Sequence, residues 1–181
     1  MATEDTLRLF FALPCPPAQT EAICAWRDRQ TFSGRAVPAE NLHLTLAFLG
    51  AQPAERLPAL CQLADELSCE RFELCLDQLI TLGERFVCLA PGAAPPQLLQ
   101  LAAQLAERLH ALGIVLDSRP YRPHLTLLRE ARHPAHGPVP AFGWQVREFA
   151  LYLSQTTAHG VRYQALRRWS LPLLPVQGAP T

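Results

Sequence analysis

The tetrapeptide His-Leu-Thr-Leu occurs twice in this chain, as His43-Leu44-Thr45-Leu46 and as His124-Leu125-Thr126-Leu127. Neighbouring side chains of a β-strand point to opposite faces. A strand with this sequence therefore presents an imidazole and a hydroxyl on one face. Its leucines fall on the other, where a core can hold them. Each copy asks for a strand with one polar and one buried face, and the fold has to supply two of them.

The flanking periodicities say what surrounds those strands. Thr6 to Leu13 is a nearly continuous apolar run stopped by Pro14, Pro16 and Pro17, and reads as a strand. Pro17 to Gln30 reads as a helix, with prolines at its first turn and Ile23 and Trp26 on one face. Thr31 to Glu40 reads as a loop, and Leu42 to Leu49 as the first motif strand, ended by Gly50. A helix is predicted from Pro53 to Leu67, with Leu57, Leu60, Ala64 and Leu67 at helical spacing. Phe72 to Leu79 and Arg85 to Ala90 read as antiparallel strands around Gly83-Glu84. Pro95 to Leu112 has the clearest helical stripe, through Leu98, Leu101, Ala102, Leu105, Leu109 and Leu112, and Gly113 is placed to end it.

The second motif strand is predicted from Pro123 to Leu128, followed by a loop from Glu130 to Gly143. Closing strands are expected near Gln145 to Leu153 and Val161 to Leu171. The pattern predicts the α+β class, with antiparallel sheets covered by helices. In each half a helix precedes a strand bearing the motif, so a duplicated lobe is the simplest arrangement. Residues 1–172 are expected to form one domain, and 173–181 a Pro-rich, frayed tail.

Composition narrows the function classes. Sixteen basic and 16 acidic residues cancel, which argues against a protein that coats long nucleic acid by bulk charge. A site that holds one phosphate at the end of a strand needs only a local cluster. No apolar run approaches the roughly 18 to 20 residues of a membrane helix. Met1 to Thr6 carries two acids and no basic region, so no signal peptide is expected. The six cysteines form no C-x-x-C pair and read as reduced thiols of a cytoplasmic protein.

Two strands of this kind set side by side bring two imidazoles and two hydroxyls to one cleft. Phosphodiester cleavage needs a base for the attacking oxygen and an acid for the leaving oxygen. Histidine suits both, because its ordinary pKa of about 6.5 lies near neutrality. Threonine hydroxyls can donate to the non-bridging phosphate oxygens, where charge concentrates in the transition state. The scheme requires no metal and no cofactor. A single His-x-Thr is an ordinary half-buried polar pair; a second copy with the same polar face is what points to chemistry. His133-Pro134-Ala135-His136 offers further metal-ligand atoms, but no carboxylate or cysteine accompanies the histidines at ligand spacing.

The motifs and their flanks resemble the two-histidine phosphoesterase superfamily, defined by two His-x-Thr/Ser-x motifs, and in particular its bacterial RNA 2′,3′-cyclic phosphodiesterases, long labelled 2′-5′ RNA ligases. The similarity runs from Arg8-Leu9-Phe10-Phe11-Ala12-Leu13 through Asn41 to Gly50. It continues in Arg119 to Arg129 and closes with Leu151 to Ser154 and Tyr163 to Trp169. The resemblance implies a bilobal, pseudo-twofold fold whose two antiparallel sheets form a central groove, with helices outside. It implies hydrolysis of a 2′,3′-cyclic phosphate at an RNA 3′ terminus to a 2′-phosphate, by a monomer without a protein partner. It implies His43 as general acid, His124 as general base, and Thr45, Thr126 and Arg129 as phosphate-binding residues.

Two other readings stay open at this stage. One is action on other 2′-5′-linked or small cyclic phosphodiesters, including the reverse ligation; the other is a non-catalytic RNA-end binder. By strict alternation Arg129 faces away from His124, and Phe48 falls on the apolar side and is expected in the core. Phe142, Trp144 and Tyr163 are aromatics able to stack on a terminal base, although single aromatics more often belong to the core.

Overall fold

The computed structural model describes residues 5–173. Its strands are β1 (Thr6–Pro14), β2 (Arg35–Ala36), β3 (His43–Pro53), β4 (Phe72–Leu76), β5 (Gln78–Leu82), β6 (Phe86–Ala90), β7 (Leu125–Arg129), β8 (Phe142–Val146), β9 (Glu148–Thr157) and β10 (Gly160–Ser170). Its α-helices are α1 (Pro17–Asp28), α2 (Leu57–Asp65) and α3 (Pro96–Ala111). The class is α+β, as the pattern predicts.

β1 owes its apolar run from Leu9 to Leu13 to its position. It pairs antiparallel with β3 on one side and β9 on the other, and both of its faces are covered. Leu9, Phe11 and Leu13 are fully buried in the main core, while Phe10 and Ala12 pack on the opposite face with Ala150 and Tyr152. The sheet runs β10-β9-β1-β3-β7-β6-β5, with β2 beside β7. Its two halves, β10-β9-β1-β3 and β7-β6-β5, meet through one residue pair, Leu44 with Leu125. The two sheets expected from the duplication are thus joined edge to edge, and the joint lies inside the two tetrapeptides.

Helix α3 buries Leu98, Leu101, Ala102, Leu105 and Leu109 of the stripe read from the sequence, while Leu112, its sixth member, caps the helix and is exposed. Gly113, at φ 76°, follows its end in the left-handed region that glycine adopts without a side-chain clash. Helix α1 opens on Pro17 and buries Ile23 and Trp26. Its Arg27 is also buried and donates to the Val37 carbonyl (2.7 Å), tying the helix to the segment before the first motif.

Several boundaries differ from the sequence reading. Pro53 stays in β3, and Ala54–Arg56 form a 3-10 turn before α2 begins at Leu57. Phe72 to Leu79 is two strands in different sheets: β4 pairs with β8 as a separate ribbon, and β5 pairs with β6. Asp77 stands at the break, and its carboxylate accepts from the Gly92 amide (2.7 Å). The predicted loop from Thr31 to Glu40 contains the short β2, which borders the second motif strand. All six cysteines are free thiols. Among the described residues no helix is long and apolar enough to cross a membrane. The tail expected to fray, 173–181, lies outside the described residues from 174 onward.

Candidate active site

Both motif strands carry a β-bulge at the same place. Opposite β1, Ala12 pairs with Thr45 and Phe11 with Ala47, so Leu46 is the extra residue. Opposite β6, Cys88 pairs with Thr126 and Val87 with Leu128, so Leu127 is the extra residue. The fourth residue of each tetrapeptide is therefore a bulge, which sets two residues against one and reverses the alternation beyond it. Leu46 and Ala47 are both buried, and so are Leu127 and Leu128.

This removes the objection to Arg129. Beyond the bulge it returns to the face that carries Thr126, with its guanidinium 5.9 Å from the centre of the Phe86 ring. Glu130 then takes a left-handed backbone (φ 56°) and the strand ends. The same displacement overturns the core reading of Phe48. Phe48 pairs with Phe10 on the groove face and is 47% exposed. The sequence signal for both bulges was present: the apolar doublets Leu46-Ala47 and Leu127-Leu128 break the alternation.

The two histidines are held by the same device. His43 Nδ1 lies 2.7 Å from the Asn41 carbonyl, and His124 Nδ1 lies 2.7 Å from the Arg122 carbonyl. A carbonyl can only accept, so Nδ1–H donates in each ring and Nε2 is left for chemistry. His43 Nε2 is 3.0 Å from Thr45 Oγ1. Among the described residues no hydrogen bond occupies His124 Nε2. Asn41 is itself pinned, its Nδ2 donating to the Val161 carbonyl of β10 (2.8 Å). Tyr121, just before the second motif, donates its hydroxyl to the Thr45 carbonyl (3.0 Å) and so ties one motif strand to the other. On the second strand, the Cys88 thiol contacts Thr126 Oγ1 at 3.7 Å.

Burial pushes the His43 imidazole down from 6.5 to about 4, against the hydrogen bond to Asn41; the positive charges of Arg129 and His124 push the same way. Those two groups act on His43 because they share its groove. At neutral pH the free protein thus holds His43 uncharged, with Nδ1 protonated and Nε2 able to accept from Thr45. An anion in the groove reverses part of this, since a nearby negative charge favours the imidazolium. In NMR titrations His43 is therefore expected to titrate near 4 in the free protein and to move upward when a nucleoside 2′-monophosphate is added. A free-protein midpoint near 6.5, or no upward movement with the nucleotide, would contradict this electrostatic account. For stability the sign is fixed as well. The folded state binds the proton less readily than the unfolded chain, so this contribution is complete above pH 6.5 and declines as pH falls towards 4.

Other candidates separate from this centre. Phe142 is buried in the core, and Trp144 packs half-buried against it. Tyr163 does border the site, its ring edge-on to His43 with centroids 5.2 Å apart. A cavity of about 490 Å³ opens there, lined by Phe10, Asn41, His43, Tyr152 and Tyr163 among others. His133 and His136 lie instead around a different hollow with Gln30, Thr31, Phe32 and Ser33, which adds no carboxylate or thiol to them. Among the described residues no three His, Cys, Asp or Glu side chains gather as a metal site would need.

A mixed sheet-and-helix chain in which two His-x-Thr strands meet across one groove has the architecture of a two-histidine phosphoesterase. Comparison with known proteins agrees. The chain belongs to the 2′-5′ RNA ligase superfamily, whose family model matches residues 14–157. It is 41% identical over 169 residues to the RNA 2′,3′-cyclic phosphodiesterase of Escherichia coli (strain K12), covering 91% of this chain and 96% of that protein. It is 31% identical over 185 residues to the protein of the same name from Thermus thermophilus, covering 91% and 90%. Among solved structures, E. coli LigT complexed with 3′-AMP matches with a TM-score of 0.87 and 39% identity, over 92% of this chain and 99% of that one.

Proposed function

We propose that this protein hydrolyses the 2′,3′-cyclic phosphate at an RNA 3′ terminus to a 2′-phosphate and a 3′-hydroxyl, by acid-base catalysis with two histidines and no metal. The observation that carries the reading is the matched pair of imidazoles. Each has Nδ1 committed to a backbone carbonyl, and each has a threonine hydroxyl on its strand two residues on. Relatives carrying the name RNA 2′,3′-cyclic phosphodiesterase support the choice of substrate.

In this scheme His124 Nε2 takes a proton from water as the water oxygen bonds to phosphorus. The P–O3′ bond breaks on the opposite side, and His43 Nε2–H delivers a proton to O3′. Thr45 and Thr126 donate to the non-bridging oxygens, and the Arg129 guanidinium offsets their growing charge. His43 has to be protonated for its part, and the bound phosphodiester supplies the negative charge that favours this. The phosphate thus prepares its own acid. Phe48, exposed on the groove face in the row next to Thr45, offers the terminal base a flat surface. The reading carries with it an RNA end as partner and a cytoplasmic setting.

The test is to incubate the purified protein, in excess EDTA, with an oligonucleotide ending in a 2′,3′-cyclic phosphate. Conversion to a 2′-phosphate end is expected at a rate unaffected by the chelator. A cyclic end that persists sinks the catalytic reading and leaves an RNA-end binder. Activity abolished by EDTA and restored by zinc would transfer the chemistry to a metal.

A further inference from the structure

We infer that Arg8 is a specificity-determining residue that grips the internucleotide phosphate on the 5′ side of the terminal nucleotide, so that the groove reads an RNA end rather than a lone nucleoside cyclic phosphate. This rests on the proposed function and extends the site by one phosphate.

The placement of Arg8 follows from β1, whose alternation is regular. Its pairing with β9 runs through Leu9, Phe10, Phe11 and Ala12 without a shift. Phe10 and Ala12 face the groove side, so Arg8 does too, and Arg8 pairs with Ala51 of β3. Three rows of the β1–β3 ladder then lie along the groove. Ala12 stands beside Thr45, Phe10 beside Phe48, and Arg8 beside Ala51. Two residues separate successive rows, so Arg8 starts about 13 Å along the strand from the Thr45 row. An arginine side chain leaning back from there, and one nucleotide reaching out from the phosphate centre, span that interval.

Arg8 does lean back. Its guanidinium carbon sits 4.8 Å from the centre of the Phe48 ring, on the aromatic surface offered to the terminal base. Among the described residues it forms no ion pair; the six present all involve other arginines. The arrangement repeats that of Arg129, which is also without an ion pair and lies over the exposed ring of Phe86. A guanidinium resting on a ring keeps its in-plane N–H donors free for phosphate oxygens. The groove therefore has the same device at two levels. Arg129 serves the reacting phosphate, and Arg8 is set where the next phosphate of the chain would pass. A nucleoside cyclic phosphate with a free 5′-hydroxyl has nothing to give it.

The experiment compares two substrates, adenosine 2′,3′-cyclic phosphate and the same compound carrying a 5′-phosphate, in the wild-type protein and in Arg8→Ala and Arg8→Lys. The wild type is expected to prefer the 5′-phosphorylated substrate in kcat/KM. Arg8→Ala is expected to lower that preference about fivefold, and Arg8→Lys to restore part of it. With a dinucleotide ending in cyclic phosphate, Arg8→Ala should also flatten the log–log dependence on salt by roughly 0.7, one released counterion. An unchanged preference in Arg8→Ala overturns the inference. So does an equal loss on both substrates, which would make Arg8 a prop for Phe48. A wild-type protein that cleaves neither substrate removes the proposed function itself.

Discussion

His43→Ala and His124→Ala are each expected to lower kcat on a cyclic-phosphate RNA end by about 10² to 10⁴-fold, the usual contribution of a positioned general acid or base. Neither should unfold the protein. Both rings are half-buried at the groove, and the leucines that anchor their strands, Leu44 and Leu125, remain fully buried. The double variant should lose little more than either single one, because acid and base act in one displacement. The pH dependence then separates the roles. The wild type should show a bell, from one protonated and one neutral imidazole. Removing the acid should abolish the alkaline limb, and removing the base the acidic limb. If His43→Ala lost the acidic limb instead, His43 would be the base, a role its neutral state in the free protein also permits. Either variant keeping kcat within about threefold of wild type would end the two-histidine mechanism.

Arg129→Ala should rank next, with kcat/KM lowered about 10²-fold, the range for removing one preorganised donor from a developing oxyanion. Arg129→Lys is expected to recover only part of this, since a point charge cannot match two oxygens as a planar fork does. The loss should be electrostatic and not structural. Arg129 makes no ion pair among the described residues, and its side chain lies over a ring that is already 37% exposed. The melting temperature is therefore expected to stay near that of wild type, and the shape of the pH profile should be kept. Wild-type kcat/KM in Arg129→Ala would remove it from the site and show that the bulge at Leu127 turns it towards solvent only.

The comparison between Arg129 and Phe48 shows how far a sequence can be read here. These residues are equivalents, each five positions past a motif histidine and each two past a bulge. Strict alternation placed both wrongly, for one reason. A bulge is an agreement between two strands about register, and the strand's own side chains record it only as a doublet of apolar residues. The split of Phe72 to Leu79 into β4 and β5 has the same origin. The run is suited to strand throughout, and its partners, β8 and β6, are far away along the chain.

What the sequence determined by itself is local and chemical. The period of apolar residues set the helices α1 and α3, the apolar run at β1 set a strand, and the repeated tetrapeptide set an imidazole and a hydroxyl on one side of each motif strand. These follow from side-chain direction and burial within a few residues, so no partner is needed to read them. Tertiary structure alone decided that the two motif strands meet at Leu44 and Leu125, that paired bulges return Arg129 and expose Phe48, and that burial, with the charge of Arg129 nearby, pushes His43 down to about 4. Those are properties of pairs of distant segments: register depends on both strands of a ladder, and a pKa depends on every charge that folding brings into the same groove.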